Sequence, residues 1–299
     1  MKKLFLKIVI FFLIVFVMDF AFGVVMKSTL AATKKGDWGR RNYIINESHE
    51  DILIFGTSRA IHHYDPQILK DSLNMTCFNC AEEGNGILLY YPVILSILQR
   101  YTPKVIIYDL MPKYDFLKYG EISSLGLLRP YSDRSEVHRF IGEVESEEIL
   151  KLSSKFYKYN SSFMEILSQR FSSASLTAEQ FSYSPLESEL KSEPSNLGFI
   201  EGEGLDSTKF HYLKKLVDLC NAKEVKLYFI TSPWYKMEYQ DVYYPIENIC
   251  KDKNVVFFNH NFDAKFNREL SYFHDAAHMS RKGAEAFSSV IAHEIKEWK

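Results

Sequence analysis

The sequence has no excess of charge of either sign, because 36 Lys and Arg residues face 38 Asp and Glu residues and leave a net charge of −2. Nucleic-acid-binding domains usually carry a strongly basic face, so nothing points to nucleic acid as a partner. The chain also lacks internal repeats, low-complexity tracts and a Gly-rich phosphate loop. These absences argue against repeat architectures and P-loop nucleotide hydrolases.

Cysteine is scarce, with four residues in 299: Cys77, Cys80, Cys220 and Cys250. Cys77 and Cys80 have the C-x-x-C spacing of a redox or metal pair. No second Cys/His pair follows at a zinc-like spacing, and residues three apart in a strand point to opposite faces. We therefore interpret the cysteines as core residues. We predict no metal and no cofactor, since the adjacent His62 and His63 do not share a face either.

The N-terminus holds the one long apolar run. Lys2, Lys3 and Lys7 precede it, and apolar residues then continue from position 8 to 26, interrupted only by Asp19. This length approaches the roughly 20 residues that span a bilayer, and it exceeds the apolar region of most cleaved signal peptides. We predict an uncleaved single-pass signal anchor at 1–30, followed by a linker at 31–50. The alternative is cleavage after Leu30-Ala31-Ala32.

The orientation of this anchor follows from its basic start. Lysines before the span favour an N-terminus inside the cell, although five basic residues also follow the span closely. We predict a bacterial protein of the cytoplasmic membrane, with the body of the chain outside it, in the periplasm or the extracellular space.

The rest of the chain alternates apolar strands with helical patterns, which predicts an α/β fold. Short apolar strands without alternation are typical of a parallel sheet buried on both faces by helices. The predicted strands are 51–55, 75–80, 104–110, 226–231 and 255–259. The predicted helices are one from Asp65-Pro66 and those at 87–100, 207–221, 242–251 and 280–298.

Residues 113–205 interrupt this pattern. They contain helix-like stretches at 143–157 and 162–171, and then a Ser/Glu/Pro-rich part from 172 to 204. We predict a mainly helical insertion. A long excursion at the carboxyl edge of a sheet suits a lid or substrate platform, and equally a surface for docking a partner.

Two motifs at opposite ends of this pattern carry chemistry. Ser58 follows the first apolar strand in Gly56-Thr57-Ser58, and Asp275 precedes His278 by three residues near the end of the chain. A serine hydroxyl becomes a nucleophile when an imidazole takes its proton, and an Asp on the other ring nitrogen fixes the tautomer. On one helical turn, Asp275 and His278 would share a face. We predict a catalytic triad of Ser58, His278 and Asp275.

These motifs resemble those of the SGNH (GDSL-like) hydrolase superfamily, and more narrowly its membrane-anchored branch associated with cell-envelope polysaccharides. The resemblance covers about residues 51–112 and 206–298. It implies a three-layer α/β/α sandwich with a five-stranded parallel, flavodoxin-like sheet. It also implies an oxyanion glycine after the second strand, here Gly84 or Gly86.

One block departs from that family. Its G-x-N-D block would follow the third strand, where this chain reads Asp109-Leu110-Met111-Pro112. The oxyanion asparagine is therefore missing from its usual place, and Asn85, between two glycines, is the candidate to replace it. Loss of one oxyanion donor costs roughly 10²–10³ in rate.

Other residues near these motifs have two readings. Arg59 is a candidate to pair with an anionic substrate group, or alternatively to cap a carboxylate. Asp109 is a candidate buried neighbour of Ser58. Trp234 and Tyr235 are candidates for a sugar-binding cleft, with core packing as the alternative.

The resemblance and the predicted triad indicate a serine-dependent acyl-ester hydrolase or O-acyltransferase that acts on cell-envelope glycans. The expected partners are an acylated glycan or small ester and a membrane acyltransferase. The competing hypothesis is a non-catalytic envelope assembly factor that uses the same fold to bind a membrane acyltransferase or a polysaccharide. The departure from the G-x-N-D block favours this alternative, and the Ser/Asp/His set favours the enzyme.

Overall fold

The computed structural model describes residues 1–119, 124–172, 182–194, 204–236, 241–251 and 255–297. The chain forms two compact units. The smaller unit comprises residues 1–47 and 123–178, and the larger one comprises residues 48–122 and 179–299. The domain division expected from the sequence, with an anchor, a linker and an insertion at 113–205, stays a prediction.

The larger unit is built on a five-stranded sheet in which every neighbouring pair is parallel. The strand order is β2-β1-β3-β4-β5. The strands are β1 (Ile52–Gly56), β2 (Cys77–Asn79), β3 (Val105–Asp109), β4 (Lys226–Thr231) and β5 (Val255–Asn259). All five predicted strands and the predicted flavodoxin-like order are confirmed.

Helices connect these strands. In the larger unit they are α3 (Ser58–His63), α4 (Pro66–Leu73), α5 (Ile87–Leu98), α6 (Pro112–Asp115), α12 (Ser207–Ala222), α13 (Tyr244–Lys251) and α14 (Arg281–Glu297). Short 3-10 turns lie at Asp241–Tyr243 and Leu270–Tyr272. The predicted start at Asp65-Pro66 is confirmed, because the Asp65 side chain accepts a hydrogen bond from the Gln67 amide at 2.8 Å. This bond satisfies one amide that the helix start leaves unpaired.

The two faces of the sheet bury different sets of side chains. Ile54 and Ile107 lie in one core cluster with Leu69 of α4 and with Phe287 and Ile291 of α14. Side chains that alternate with these point the other way, since side-chain direction in a strand has a period of two. On that opposite face, the Phe55 and Tyr108 rings pack against Tyr90 of α5, at 5.5 and 5.9 Å between centroids. The predicted three-layer α/β/α sandwich is confirmed.

The smaller unit is helical in its described part. Its helices are α1 (Lys2–Ala32), α2 (Gly36–Asn46), α7 (Leu125–Leu128), α8 (Ser135–Val144), α9 (Ser146–Lys151), α10 (Lys155–Tyr159) and α11 (Phe163–Phe171), with a 3-10 turn at Arg129–Tyr131. Helix α2 lies within the stretch that we predict to be a linker. Helix α1 is long and apolar enough to cross a membrane, a property that anchors share with signal sequences.

One predicted helix of the insertion is wrong in its extent. Residues 143–157 are divided among α8, α9 and α10, because Glu145 and Ser154 adopt extended backbone conformations. The Ser154 hydroxyl accepts from the Tyr157 amide at 3.3 Å and starts α10 anew. Serine favours such caps over helix interiors because its side chain competes for backbone hydrogen bonds. The predicted helix at 162–171 is confirmed as α11.

The four cysteines are free thiols. Cys80 and Cys220 are buried, which confirms the interpretation of these two as core residues, whereas Cys77 and Cys250 are partly exposed. Burial raises the pKa of the Cys220 thiol to about 12. This thiol therefore stays protonated and unreactive near neutral pH.

Candidate active site

Ser58 is presented at the carboxyl edge of the sheet by a sharp turn between β1 and α3. Gly56 has a φ of +144°, and a Cβ atom there would lie 2.8 Å from both the Ala60 Cβ and the Asp109 carbonyl oxygen. Only glycine fits such a position without strain. Thr57 then caps α3, since its side chain accepts from the Arg59 amide at 3.4 Å. The turn places the half-buried Ser58 at the first position of the helix.

Asp275 and His278 lie in a closed loop and not on a helical turn, so this part of the expectation is wrong. An isolated antiparallel bridge between Phe273 and Met279 closes the loop. Within it, one Asp275 carboxylate oxygen accepts from the amides of Ala277 and His278, both at 2.8 Å. An Asp side chain readily folds back onto the backbone two or three residues ahead, and this brings the two side chains together without a helix.

The loop brings His278 to Ser58 across 220 positions of sequence. The Ser58 Oγ lies 2.9 Å from the His278 Nε2. The His278 Nδ1 lies 3.0 Å from Asp275 Oδ2 and 3.1 Å from Oδ1. An ionised carboxylate only accepts hydrogen bonds, so Nδ1 carries the proton and Nε2 is the acceptor for the Ser58 hydroxyl.

The Asp275 carboxylate stays ionised in this arrangement. Partial burial acts to raise its pKa, but hydrogen bonds from the His278 ring and from the amides of Ala277 and His278 outweigh burial and lower the pKa to about 2. A carboxylate that accepts several hydrogen bonds is stabilised in its charged form. The negative charge beside the His278 ring is therefore permanent near neutral pH.

His63 fixes the histidine loop to the helix that carries Ser58. Its Nε2 accepts the amide of Met279, the residue after His278, at 2.9 Å. Its Nδ1 lies 2.8 Å from the Ser232 Oγ. Burial, with Arg59 and His278 nearby, holds the pKa of His63 well below its usual range, so the ring is neutral and can accept at Nε2. The sequence showed only an adjacent histidine pair and gave no signal for this role.

Arg59 lies in the protein interior, which corrects its predicted contact with substrate. Its side chain is 1% exposed. The guanidinium donates to the Ser232 Oγ at 3.2 Å, to the Ser232 carbonyl and to the Asn261 Oδ1 at 3.2 Å, and it lies 5.0 Å from the Trp234 ring centroid. These contacts hold α3 against the turn after β4. The reason is geometric: the residue after Ser58 on a helix start points away from the side that Ser58 faces.

Asp109 is buried at the end of β3, as expected, and is paired in register with Gly56. Its carboxylate accepts from the Tyr64 hydroxyl at 2.6 Å and from the Ser232 amide at 3.1 Å. Burial raises its pKa against the opposing effect of Arg59. Asp109 thus belongs to the buried network beneath Ser58.

The candidate oxyanion residues follow β2, the strand beside β1. The Glu82 amide and the Tyr90 hydroxyl both donate to the Gly56 carbonyl, at 3.2 and 2.6 Å, so the loop begins next to the Ser58 turn. Gly84 has a φ of +67°. The Asn85 side chain is 8% exposed, and its amide donates to the Glu83 carbonyl at 3.0 Å. The oxyanion roles of Gly84, Asn85 and Gly86 stay predictions.

Asp115 supports the turn after β3, where the resemblance predicts an asparagine block that this chain lacks, and its role was not predicted from the sequence. Its buried carboxylate accepts from the Tyr108 hydroxyl and the Met111 amide, both at 2.7 Å, and from the Ile87 amide at 2.9 Å. Burial raises its pKa to about 7. Asp115 thereby joins the turn after β3 to the start of α5. The only feature of the sequence that could have indicated this role is an acidic residue three positions after Pro112.

A strap formed by residues 182–194 runs along the histidine loop. The Leu190 amide donates to the Phe273 carbonyl at 2.7 Å, and the Arg281 amide donates to the Leu186 carbonyl at 2.7 Å. The Ser188 Oγ lies 2.5 Å from the His274 Nδ1. This part of the predicted insertion packs in the larger unit and supports the loop of His278.

The aromatic residues after β4 are core residues, in agreement with the alternative reading. Trp234 and Tyr235 are 4% and 1% exposed. Trp234 and Met111 form a small apolar cluster, with Ala277 among its partly buried neighbours. Among the described residues, no group of three or more His, Cys, Asp or Glu side chains is arranged to hold a metal ion.

Comparison with known proteins gives structural similarities only. No protein-family model matches the sequence, and no curated protein matches it. The structure is similar to a psychrotrophic esterase from a Pseudoalteromonas species inhibited by monoethylphosphonate (12% identity, 83% of this chain and 97% of that one, TM-score 0.43). It is also similar to a GDSL-like lipase from Bacteroides thetaiotaomicron (9%, 83% and 88%, 0.40). A third similar structure is an acetyl xylan esterase (11%, 82% and 98%, 0.41). Similarities at this level do not assign an activity to the chain.

Proposed function

We propose that the chain is a serine-dependent acyl-ester hydrolase of the SGNH type. The observation that carries the proposal is the line of three side chains: Ser58 Oγ lies 2.9 Å from His278 Nε2, and His278 Nδ1 lies 3.0 Å from Asp275 Oδ2. Distances of about 2.6–3.2 Å are those of a nucleophile and a base ready for proton transfer. The sharp turn at Gly56 and the tether from His63 support this geometry from two sides.

The reaction follows from the roles of these atoms. The Ser58 Oγ attacks the ester carbonyl carbon while its proton moves to the His278 Nε2, and the Asp275 carboxylate stabilises the imidazolium. The amides of Ser58 and of Gly84 or Gly86, with the Asn85 side chain, hold the oxyanion. When the carbon–oxygen bond breaks, His278 returns its proton to the leaving alcohol. A second oxygen nucleophile then gives its proton to His278 and attacks the acyl carbon, the bond to the Ser58 Oγ breaks, and His278 returns the proton to that oxygen.

The second nucleophile and the substrate are the finer part of the proposal. Water makes the protein an esterase, and a sugar hydroxyl makes it an O-acyltransferase. We propose that α1 is retained as a single-pass anchor in a bacterial cytoplasmic membrane, with the larger unit outside. A protein held there meets acylated cell-envelope glycans and membrane acyltransferases. Three lysines ahead of the apolar run support this orientation.

The test is labelling of the full-length protein in detergent with a fluorophosphonate probe, which reacts with activated serines. We expect labelling of the wild type and none of Ser58→Ala or His278→Ala. The chain offers a matched control in Ser188 and His274, a second Ser–His contact at 2.5 Å. Ser188→Ala and His274→Ala should keep the label, because the backbone bonds of Leu190 and Arg281 still attach the strap to the loop of His278.

An unlabelled wild type that is folded would overturn the hydrolase proposal. It would favour the competing function of an assembly factor that binds a membrane acyltransferase or a polysaccharide. A labelled wild type is next offered acetylated sugars with and without an acceptor sugar. Released acetate indicates an esterase, and acetylated acceptor indicates a transferase.

A further inference from the structure

The second half of α1 is an integral part of the smaller unit. Before Asp19, the apolar side chains of α1 from Leu4 to Met18 are all at least 43% exposed. After Asp19, one stripe of α1 is covered, and Gly23, Met26 and Leu30 are buried. The aliphatic chain of Lys155 packs so closely on Gly23 that a Cβ atom there would lie 2.5 Å from it. The helix therefore changes its surroundings at Asp19.

Asp19 fixes the start of α10 at this point of change. Its Oδ1 accepts from the Ser154 hydroxyl and from the Phe156 amide, both at 2.8 Å, and its Oδ2 accepts from the Lys155 amide at 2.9 Å. A carboxylate that satisfies the first amides of a helix is a strong cap. Asp19 is the one charged residue inside the apolar run, and it attaches the start of α10 to α1.

The helix length locates Asp19 relative to a bilayer. Lys3 and Asp19 are 16 residues apart in α1, which corresponds to about 24 Å at a helical rise of about 1.5 Å per residue. The hydrocarbon layer is about 30 Å thick. If Lys3 lies at one surface, the other boundary falls about four residues beyond Asp19, close to Gly23, which the Lys155 side chain of α10 covers.

Three large apolar side chains of α9, α10 and α11 are exposed, and the contacts of α10 and α11 with Phe22 lie near this level. Phe156 stacks on Phe22 with 4.4 Å between ring centroids and remains 44% exposed. Met164, which is 66% exposed, follows Phe163, whose ring lies 6.2 Å from Phe22. Leu150 is 79% exposed in α9, four residues before the Ser154 cap. Large apolar side chains that are exposed beside a membrane span are typical of a surface that contacts lipid.

We propose that α9, α10 and the first turn of α11 form a membrane platform, in which Leu150, Phe156 and Met164 insert into the boundary between headgroups and acyl chains. The inference rests on the proposed retention of α1 as an anchor and is independent of the proposed hydrolase chemistry. The stack of Phe156 on Phe22 joins this surface to α1. The platform holds α1 through Asp19, so removal of α1 would leave the Ser154 hydroxyl and two amides of α10 without their acceptor.

The other end of α11 provides a control surface. Phe171 is 76% exposed, and the next residue, Ser172, accepts a hydrogen bond from Lys35 beyond the end of α1. Phe171 is eight residues from Phe163 in the same helix, or about 12 Å along the axis. Phe171 is as apolar and as exposed as Met164, and it lies farther from the bilayer.

The experiment uses the full chain in phosphatidylcholine nanodiscs made with or without dibrominated lipid, which quenches nearby tryptophan. Phe156→Trp, Met164→Trp and the control Phe171→Trp are each compared with the parent protein. We expect the added emission of the first two variants to be lost in brominated lipid and that of the control to remain. Equal quenching at all three positions, or none at any of them, would overturn the platform.

Two companion measurements separate this inference from its premises. Flotation of the parent protein with vesicles after an alkaline wash reports the anchor alone. A protein that floats but is not quenched at positions 156 and 164 contradicts the platform and leaves the anchor in place. A protein that does not float contradicts both. Fluorophosphonate labelling of the protein in the same nanodiscs tests the hydrolase proposal independently of the quenching result.

Discussion

The His63 Nε2 accepts the backbone amide of Met279 at 2.9 Å, and this bond ties the residue after His278 to the helix that begins with Ser58. Two parts of the chain that are 216 positions apart are thereby held in one register. The neutral His63 ring acts through the position of His278 and touches no reacting atom, so we regard it as a positioning residue.

Replacing His63 should impair turnover more than substrate binding. Without the ring, the His278 loop loses its tether, and a displacement of about 1 Å between base and nucleophile can cost about 10²-fold in rate. For His63→Ala we expect a kcat lower by about that factor with little change in KM, measured on a p-nitrophenyl ester. His63→Gln, whose amide can both accept and donate, should recover part of kcat. Equal kcat in the wild type and His63→Ala would disprove the positioning role.

The Asp275 carboxylate should matter for the tautomer of His278. In Asp275→Asn the side-chain amide can donate toward Nδ1, which favours the proton on Nε2, where it blocks acceptance from Ser58. We expect kcat to fall by about 10²–10⁴-fold with a folded protein, by analogy with the effect of losing the triad acid. Steady-state kinetics beside a thermal unfolding curve make the test. A loss below tenfold would mean that Asp275 does not orient the base.

The lowered pKa of Asp275 also predicts that the stability of the fold depends on pH. Its folded pKa of about 2 lies below its ordinary value of 3.8, so the folded state binds its proton more weakly than the unfolded state does. The stabilisation is therefore present above pH 3.8 and is lost as the pH falls through about 2. Comparison of wild type with Asp275→Asn by thermal unfolding should show a gap at neutral pH that closes in strong acid. A gap that widens in acid would contradict the predicted sign.

The buried guanidinium of Arg59 should contribute to stability and not to the choice of substrate. Arg59→Lys removes donors from the Ser232 and Asn261 oxygens and leaves them buried, which we expect to destabilise the fold by about 3 kcal/mol. Chemical denaturation measures this change. The exposed Arg268 supplies the control, since Arg268→Lys should change little. A selective rise in KM for anionic esters in Arg59→Lys would instead place Arg59 in contact with substrate.

The turn at Gly56 should tolerate no side chain. In Gly56→Ala the new methyl group would meet the Asp109 carbonyl and the Ala60 methyl at 2.8 Å, in a backbone conformation that L-residues rarely adopt. We expect a loss of at least about 2 kcal/mol in unfolding free energy and reduced labelling of Ser58 by the fluorophosphonate. Gly204→Ala is a suitable comparison, because Gly204 also has a positive φ, of +66°, but nothing lies within 4 Å of a Cβ atom there, so the difference between the two variants measures the steric contacts at Gly56. Similar effects of the two substitutions would remove the special role of Gly56.

Much of the larger unit is predictable because its signals are local. Each apolar strand is short and ends at a turn residue, and Asp65-Pro66 marks a helix start by its own chemistry. The smaller unit was harder to predict. The apparent helix at 143–157 is divided because Ser154 caps a new helix, and that cap is completed by Asp19, which is 135 positions away. Pattern alone cannot show such a partner.

The sequence by itself determined the parallel sheet and, through the resemblance, its strand order. It also determined that Ser58, Asp275 and His278 are the candidate triad. Strand and turn signals depend on a few neighbouring residues, so they can be recognised in the sequence without the tertiary structure. Only the tertiary structure decided that Arg59 is buried, that His63 and Asp115 support the site, and that Asp275 reaches His278 from a loop. These facts depend on the distances between residues remote in sequence, which arise only when the buried polar groups find their hydrogen-bond partners on folding.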